Sequence, residues 1–163
     1  MTAKNVPNLD RPEIERILLE EEVGYLALAA DRQPYCVPLS YAFLDGRIVI
    51  HCAPDGRKLD EIRANPRCCF AVSRSFDPVR PHRAEGTCTY RFESVIATGR
   101  ARLVPAGEER FELLRQLKSH FDRRLNLDPA NDPVTPEAAA RCGCIVIEID
   151  ELSGRRKGSP LTQ

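Results

Sequence analysis

Tryptophan is absent from the sequence, and aromatic residues as a whole are scarce. Phe, Tyr and Trp together make up 6% of the chain, and none of them is Trp. A surface on which successive nucleic-acid bases stack needs several exposed aromatic side chains, so binding of single strands by base stacking is not expected. The core must instead be built from aliphatic side chains, for which 42% hydrophobic residues are sufficient.

An excess of charge of one sign is also lacking. Lys and Arg together number 24, as do Asp and Glu, so the formal net charge at pH 7 is zero. Proteins that bind DNA, RNA or anionic lipid carry a positive field over much of their surface. Neither nucleic acid nor a membrane is therefore expected as a partner, and any binding site for an anion must be local.

Long hydrophobic runs are missing as well. The N-terminal segment MTAKNVPNLDRPEIERILLEEE lacks the apolar region of a signal peptide and becomes acidic quickly. No apolar stretch approaches the roughly 20 residues that cross a bilayer. The seven cysteines are odd in number and scattered along the chain, so we expect reduced thiols and a cytoplasmic protein.

The first third of the chain predicts a helix followed by three strands. Asp10 and Glu13 form a capping box that starts a helix. The β-prone segments 23–30 and 34–44 predict a hairpin, which a turn at Asp45-Gly46 and a strand over 47–52 extend into a three-stranded meander. Pro38 lies inside the second strand and predicts a sheet edge or a bulge there.

The remainder predicts further strands with peripheral helices. We expect a helix over 57–65 and a strand over 68–73, followed by an irregular connection over 75–86 that is mobile or closes over something. A β segment over 87–103 should contain a bulge or break at Gly99. The last predicted elements are a helix over 107–121, a short helix after Thr135 and a strand over 144–150. Residues 1–163 are expected to form one domain with frayed ends at about 1–8 and 153–163. Antiparallel hairpins favour a mainly β barrel with peripheral helices over a doubly wound α/β sheet.

Gly56, Arg57 and Lys58 form the most informative local motif. They place two cations at the start of the predicted helix over 57–65, where free backbone N–H groups and the positive end of the helix dipole also favour an anion. A phosphate would find charge and hydrogen-bond donors together. A solvated pair of basic residues explains the same spacing equally well.

Cysteine and histidine spacing offers little support for other sites. Cys142-Gly-Cys144 would place both thiols on one face of a strand, but no second pair follows at the spacing of a zinc finger, so no metal site is expected. Cys68 and Cys69 should point to opposite faces of their strand and serve packing. His82 and His120 have no partners in sequence and are expected at the surface. The motifs of metalloproteases, α/β-hydrolases, P-loop NTPases and Rossmann proteins are all missing.

The string VPLSYAFLDGRIVIHCAPDGRKLDEIRANPRCCFAV, residues 37–72, resembles the pyridoxamine 5′-phosphate oxidase-like superfamily of FMN-binding split barrels. It is most similar to the nitroimidazole-resistance (Nim) branch. The resemblance continues at YRFESVIATGRARLV and covers most of residues 23–103. It implies an antiparallel, Greek-key-like split β-barrel with peripheral helices, which holds FMN between the two subunits of a homodimer.

The resemblance also implies which residues contact the cofactor. Arg57 and Lys58 match the basic pair that holds the FMN phosphate, and Gly56 allows the close turn. His51 and Cys52 match the strand end that flanks the flavin. Pro38, Leu39, Ser40 and Tyr41 match the strand that runs along the isoalloxazine ring and offers it backbone N–H and C=O groups. Ser94 and Val95 match the strand that reaches the cofactor from the other subunit.

A flavin-dependent oxidoreductase is the activity that the resemblance implies. FMN would pass electrons from a reduced donor to a small acceptor, with nitro-aromatic reduction as one candidate reaction. His51 is the candidate catalytic residue, because a His at this place faces the substrate in the Nim branch and can donate a hydrogen bond or a proton. A single His at a strand end is equally explained as a packed or capped side chain.

Two alternatives and two departures from the family pattern stay open. The barrel could bind a deazaflavin or haem instead of FMN, or it could be a flavin-binding module without a substrate.

Cys52 stands where the Nim branch has a smaller residue, so its thiol could narrow the pocket or react. The ending GRRKGSPLTQ does not reproduce the substrate-phosphate residues of the true oxidase, so pyridoxamine phosphate is not the expected substrate.

Overall fold

An antiparallel sheet dominates the structure. The computed structural model describes residues 8–30, 33–75 and 91–158. The strands are β1 (Val23–Ala30), β2 (Gln33–Ser40), β3 (Ala42–Leu44), β4 (Arg47–Cys52), β5 (Arg67–Arg74), β6 (Phe92–Leu103) and β7 (Gly143–Lys157). The helices are α1 (Arg11–Glu20), α2 (Arg57–Ala64), α3 (Glu108–Arg124) and α4 (Pro136–Arg141), with a 3-10 turn at Pro129–Asn131.

The seven strands of the described residues form one sheet in the order β2-β1-β5-β6-β7-β4-β3. Every neighbouring pair is antiparallel. The sheet curls, because β2 at one edge comes within 8 Å of β4 near the other edge, measured between Cα atoms. Curling lets one face of the sheet surround a core. This geometry confirms the predicted mainly β, antiparallel split barrel with peripheral helices.

Two hydrophobic cores lie on the two faces of the sheet. The larger core fills the inside of the curl and includes Ile17 of α1 and Phe70 of β5. The smaller core lies beneath α3 and α4 and includes Leu114. Strand β4 faces both cores, since its successive side chains alternate between the two faces. Ile48 therefore enters the larger core and Val49 the smaller one, and both are fully buried.

The prediction of a continuous three-stranded meander is wrong. The β1–β2 hairpin lies at one end of the strand order and the β3–β4 hairpin at the other, because the segment predicted as one strand over 34–44 breaks at Tyr41. Tyr41, which lies between the two strands, is buried in the larger core, and Ala42 at the start of β3 is buried in the smaller core. Pro38 lies in β2, an edge strand of the described sheet, as predicted.

The predicted irregularity in the long β segment is a bulge in β6. The register with β7 shifts between Thr98 and Gly99. Gly99 is needed there, because a Cβ atom at this position would lie 2.0 Å from the carbonyl oxygen of Glu148. Strand β6 is continuous from Phe92 onward. The predicted strand residues 87–90, and most of the predicted irregular connection over 75–86, lie outside the described residues.

The C-terminal strand is much longer than predicted. Strand β7 extends to Lys157, so the expectation of a frayed end is wrong for Ser153–Lys157. These residues pair along β6, from Ser153 opposite Ile96 to Lys157 opposite Phe92. Their polar composition hid this strand, because it lacks the hydrophobic alternation from which strands are predicted.

A cluster of charged side chains joins α1 to this part of the sheet. Glu93 of β6 has a fully buried side chain and lies between two arginines. Arg74 of β5 reaches Glu93 at 2.6 Å, and Arg156 of β7 reaches it at 2.6 Å. The same arginines also pair with Glu20 and Glu13 of α1. The cluster therefore connects one helix and three strands through Glu93.

Local sequence signals for caps and turns are confirmed. Asp10 accepts a hydrogen bond from the backbone N–H of Glu13, whose side chain accepts one from the backbone of Asp10. Thr135 caps α4. Asp45 and Gly46 have φ angles of 49° and 78°, which the tight β3–β4 turn requires. Among the described residues, no helix combines the length and apolar character that a bilayer crossing requires.

Candidate functional site

Strand β4 ends with two residues that were predicted to flank a bound flavin. His51 and Cys52 project to opposite faces, because side chains alternate along a strand. The His51 side chain is exposed and lines a cavity of about 350 Å³ between α3 and α4. Cys52 is 8% exposed and belongs to the larger core. Of the two, only His51 presents its side chain to a bound molecule from this face.

The chain enters α2 through Gly56, which leaves the helix N-terminus open. Gly56 has a φ of 114°, a backbone conformation that residues with a Cβ rarely adopt, and a Cβ placed there would meet no atom within 4 Å. No side chain caps this end of the helix. The first backbone N–H groups and the positive end of the helix dipole are therefore accessible to an anion.

Arg57 is held in place by contacts with two elements. Its Nε atom donates a hydrogen bond to Oε1 of Glu61 at 3.1 Å, and its guanidinium lies 4.4 Å from the ring centroid of Tyr35 on β2. Glu61 is anchored in turn, because it accepts a hydrogen bond from the backbone N–H of Ala30 at 3.0 Å. The terminal nitrogens of Arg57 form no hydrogen bond with other described residues. They remain available to an anion between α2 and β2.

Lys58 places the second positive charge near Cys52. Burial raises the pKa of the Cys52 thiol, and the charge of Lys58 opposes part of that rise. The net pKa is higher than that of an ordinary thiol, so Cys52 stays protonated at neutral pH. This environment disfavours a reactive thiol at Cys52.

The predicted flavin-contacting strand is only partly accessible. Pro38 and Ser40 on β2 are exposed and Leu39 is half-buried. Tyr41 is fully buried, and its hydroxyl donates to the carbonyl oxygen of Leu18 at 3.0 Å. Its backbone N–H already donates to Glu22 at 3.3 Å. The N–H of Tyr41 is thus engaged within the chain, and its contact with a flavin stays a prediction, whereas Pro38, Leu39 and Ser40 lie at an open edge of the described sheet.

Ser94 and Val95 lie apart from the other predicted site residues. They belong to the first half of β6, where Ser94 pairs with Ser73 and Arg155 and adjoins the buried Glu93. Val95 is 1% exposed, so its side chain is buried in the core. Within one chain the structure does not bring these two residues to α2. Their predicted role depends on a second copy of the chain.

The remaining cysteines and histidines do not form a second site. Cys142 is the C-cap of α4 and Cys144 lies in β7, so Cys142 is not part of the strand as predicted, although both cysteines pack against the smaller core. Cys144 is buried and Cys68 enters the core while Cys69 is half-exposed. No group of three His, Cys, Asp or Glu among the described residues is arranged to hold a metal. His120 is half-buried beside Phe121, and His82 lies outside the described residues.

The region around the start of α2 fits the phosphate end of a flavin nucleotide. It combines the open helix N-terminus, the free nitrogens of Arg57 and the ammonium of Lys58, which together are the donors and charges that a phosphate requires. Arg57 also connects the start of α2 with Tyr35 on the edge strand β2. Sequence reasoning missed Tyr35 and the cavity beside His51, because their neighbours are distant in sequence. It also missed Glu61, although the four-residue spacing from Arg57 on a predicted helix was a signal for this pair.

Comparisons with known proteins agree with this fold. The profile of the pyridoxamine 5′-phosphate oxidase family matches residues 10–156. An uncharacterized protein of Rhizobium meliloti is 28% identical over 153 residues, which cover 90% of this chain and 92% of that protein.

Two solved structures are similar over nearly the whole chain. A FAD-binding protein of Mesorhizobium loti is 27% identical, with 94% of this chain and 99% of that chain covered and a TM-score of 0.70. A candidate 5-nitroimidazole antibiotic resistance protein of Bacteroides thetaiotaomicron is 20% identical, with 93% and 87% covered and a TM-score of 0.75. The second likeness concerns the fold alone. Because the family profile spans nine-tenths of the sequence, the chain belongs to the pyridoxamine 5′-phosphate oxidase family.

Proposed function

We propose that this protein binds FMN and acts as a flavin-dependent oxidoreductase on a small acceptor, with nitro-aromatic reduction as a candidate reaction. The observation that carries the proposal is the open, doubly cationic N-terminus of α2, joined by Arg57 to the edge strand β2. When bound, the flavin would supply the electron transfer, for which the side chains of this chain have no equivalent.

Each part of the region has a separate role in this proposal. Arg57, Lys58 and the open N–H groups beside Gly56 hold the phosphate. Pro38, Leu39 and Ser40 offer backbone groups of an edge strand to the polar edge of the ring. His51 donates a hydrogen bond or a proton to the acceptor, since its imidazole is exposed at the neighbouring strand end.

FAD is the second candidate cofactor. The Mesorhizobium loti protein is FAD-binding, and its chain is covered almost completely at 27% identity. FMN and FAD share the isoalloxazine ring and the first phosphate, so the same cations serve both.

The function is tested by titrating the flavin-free protein with FMN and FAD. We expect saturable binding of one flavin per chain, followed by turnover of nitro-aromatic acceptors with a reduced nicotinamide as donor. The His51→Ala variant should bind FMN with unchanged affinity and lose at least tenfold in acceptor turnover, because removing one general acid or hydrogen-bond donor typically costs about 10²–10⁴-fold. Flavin fluorescence gives the affinity, and loss of nicotinamide absorbance gives the rate.

The possible outcomes separate the alternatives. Tighter binding of FAD would make FAD the cofactor and keep the oxidoreductase. FMN binding without turnover in any donor and acceptor pair would favour a flavin-binding module. Failure to bind either flavin would overturn the proposal. Equal turnover by wild type and His51→Ala would remove His51 from catalysis.

The proposal includes a homodimer, for which the outer face of the sheet offers a surface. Tyr25 and Ile96 are 47% and 46% exposed. Tyr25 of β1 and Ile96 of β6 both pair with Ala71 of β5, the strand between them, so the two side chains lie on the same face of the sheet. Pro38 of β2 pairs with Tyr25 on its other side. Exposed apolar patches of this kind mark interaction surfaces. Ser94 shares this face with Ile96, which is how a second copy could bring its Ser94 towards a flavin site.

Charge placed on this face should separate the dimer. We expect the wild-type protein to have twice the mass of the chain, and the double variant Tyr25→Asp with Ile96→Asp to have the mass of one chain, because buried unpaired carboxylates are strongly unfavourable. Leu127→Asp is the matched control, since Leu127 is 55% exposed on another part of the surface. Light scattering coupled to size exclusion measures the mass. A monomeric wild type, or a dimeric double variant, would contradict the assignment.

The cytoplasm is the compartment that we propose for this protein. The six described cysteines are all free thiols. Thiols persist in the reducing cytoplasm, whereas exported proteins commonly oxidise them to disulfides. The thiol state therefore supports the proposed compartment.

A further inference from the structure

The cavity beside His51 has the size and the lining of a small-molecule site. Its volume is about 350 Å³, which is near the lower end of the roughly 300–1,000 Å³ typical of such sites. Helix α3 and the segment after it supply large apolar side chains to its walls, and α4 supplies two small ones. The apolar lining comprises Leu114, Leu117, Phe121, Val134, Ala138 and Ala139.

The cavity exists because α4 presents small residues to α3. Ala138 and Ala139 face the space that a longer side chain would fill, and Ala139 is only 3% exposed. Protein interiors otherwise pack at the density of organic crystals. An apolar space of this size with polar groups at its rim has the general features of a small-molecule site.

The charged groups at the rim neutralise one another. Lys118 donates hydrogen bonds from Nζ to both carboxylate oxygens of Asp122, at 3.0 and 2.9 Å, and lies 3.8 Å from Asp132. Two carboxylates thus surround one ammonium. A ligand with a carboxylate or phosphate would therefore meet no unbalanced positive charge at Lys118, so this part of the rim does not favour anions.

His51 is the polar side chain of the cavity that is available to a ligand. It forms no hydrogen bond or ion pair with other described residues. An imidazole side chain offers at least one N–H donor. It can therefore bond to a single nitro, carbonyl or hydroxyl group on a molecule whose remaining surface lies against the apolar walls.

We propose that this cavity binds a small uncharged ring compound that directs one polar group to His51. Binding itself does not require a flavin. The further step, that this is the site of the electron acceptor, rests on the proposed function, and it would restrict the acceptors to neutral ring compounds.

A fluorescent probe that is uncharged and of matching size tests the binding. We expect N-phenyl-1-naphthylamine to bind saturably to the full-length protein, and Ala138→Leu to weaken this binding at least tenfold by filling the cavity. Ala140→Leu is the matched control, because Ala140 is exposed on the same helix and does not line the cavity. Val134→Phe fills the cavity from the other side and should act like Ala138→Leu, which guards against a folding defect in one variant.

Competition identifies the ligand class. Nitrobenzene should displace the probe at least tenfold more effectively than benzoate, because only benzoate carries a charge. Ala138→Leu should retain wild-type FMN affinity, and the double variant Arg57→Ala with Lys58→Ala should retain wild-type probe affinity. These two results distinguish a failure of the cavity proposal from a failure of the proposed FMN site. Absence of saturable probe binding, equal losses in Ala138→Leu and Ala140→Leu, or equal competition by benzoate would each overturn the inference.

Discussion

Replacing both Arg57 and Lys58 with alanine should weaken FMN binding by at least about 100-fold. Each cation would lose charge-assisted hydrogen bonds to the phosphate, and such bonds contribute about 1.5–3 kcal/mol each. Two of them correspond to about 3 kcal/mol or more, and every 1.4 kcal/mol is about a tenfold change in affinity. Titration of the flavin-free protein, followed by quenching of flavin fluorescence, measures the loss.

Riboflavin separates the phosphate contacts from every other effect of this double variant. It has the same ring as FMN and no phosphate, so wild type and variant should bind it with similar affinity. Arg63→Ala is the matched control within α2, because Arg63 is exposed in the last turn and pairs with Asp60. If the double variant binds FMN as tightly as wild type does, or loses riboflavin affinity to the same extent, the phosphate lies elsewhere.

The Glu93→Gln variant should lower the free energy of unfolding by about 3–5 kcal/mol, the usual cost of removing one partner from a buried ion pair. Glu93 is fully buried, and without its charge Arg74 and Arg156 would each lose a partner at 2.6 Å. Exposed ion pairs contribute only about 0–1 kcal/mol. Urea unfolding followed by circular dichroism measures the difference.

Glu151→Gln provides the comparison for this stability effect. Glu151 is an exposed carboxylate on β7, the strand that also carries Arg156. Its replacement should change the free energy of unfolding by less than about 0.5 kcal/mol, as is usual for surface substitutions. Equal stabilities of Glu93→Gln and Glu151→Gln would contradict the structural importance of the cluster.

The contribution of Glu93 should also decline in acid. Burial raises the pKa of Glu93, but hydrogen bonds from Arg156 and Arg74 outweigh burial and hold the pKa below its usual value. A carboxylate with a lowered pKa stabilises the fold above the unfolded-state pKa of about 4.3, and this stabilisation is lost as the pH falls towards the folded-state pKa. The advantage of wild type over Glu93→Gln should therefore be constant above about pH 5.5 and shrink below about pH 4. A difference that stays constant in acid would contradict this ionisation.

Features that depend on a few neighbouring residues were predictable from the sequence. The capping box of Asp10 and Glu13 and the cap at Thr135 involve atoms three residues apart. The turn at Asp45-Gly46 needs positive φ angles at two adjacent positions, which these residue types tolerate. The structure confirms all of them, because the interactions that form them are written within one short window of sequence.

Features that depend on distant strands were predicted poorly. The meander was wrong because β4 pairs with β7 instead of extending the β1–β2 hairpin, and nothing within residues 34–52 shows that pairing. The end of β7 was missed because Ser153–Lys157 is polar, and its pairing partner lies on β6. In both cases the deciding contacts join residues far apart in the chain.

The candidate site also combines features that neighbouring residues in the sequence show with features that depend on contacts between distant residues. The sequence by itself determined the cationic start of α2, because Gly56, Arg57 and Lys58 are consecutive and the helix N-terminus adds its free backbone N–H groups. Only the tertiary structure decided that Arg57 lies against Tyr35 and that His51 faces a cavity of about 350 Å³. The physical reason is that side-chain alternation and sheet curling, and not proximity in sequence, choose which residues face the same space.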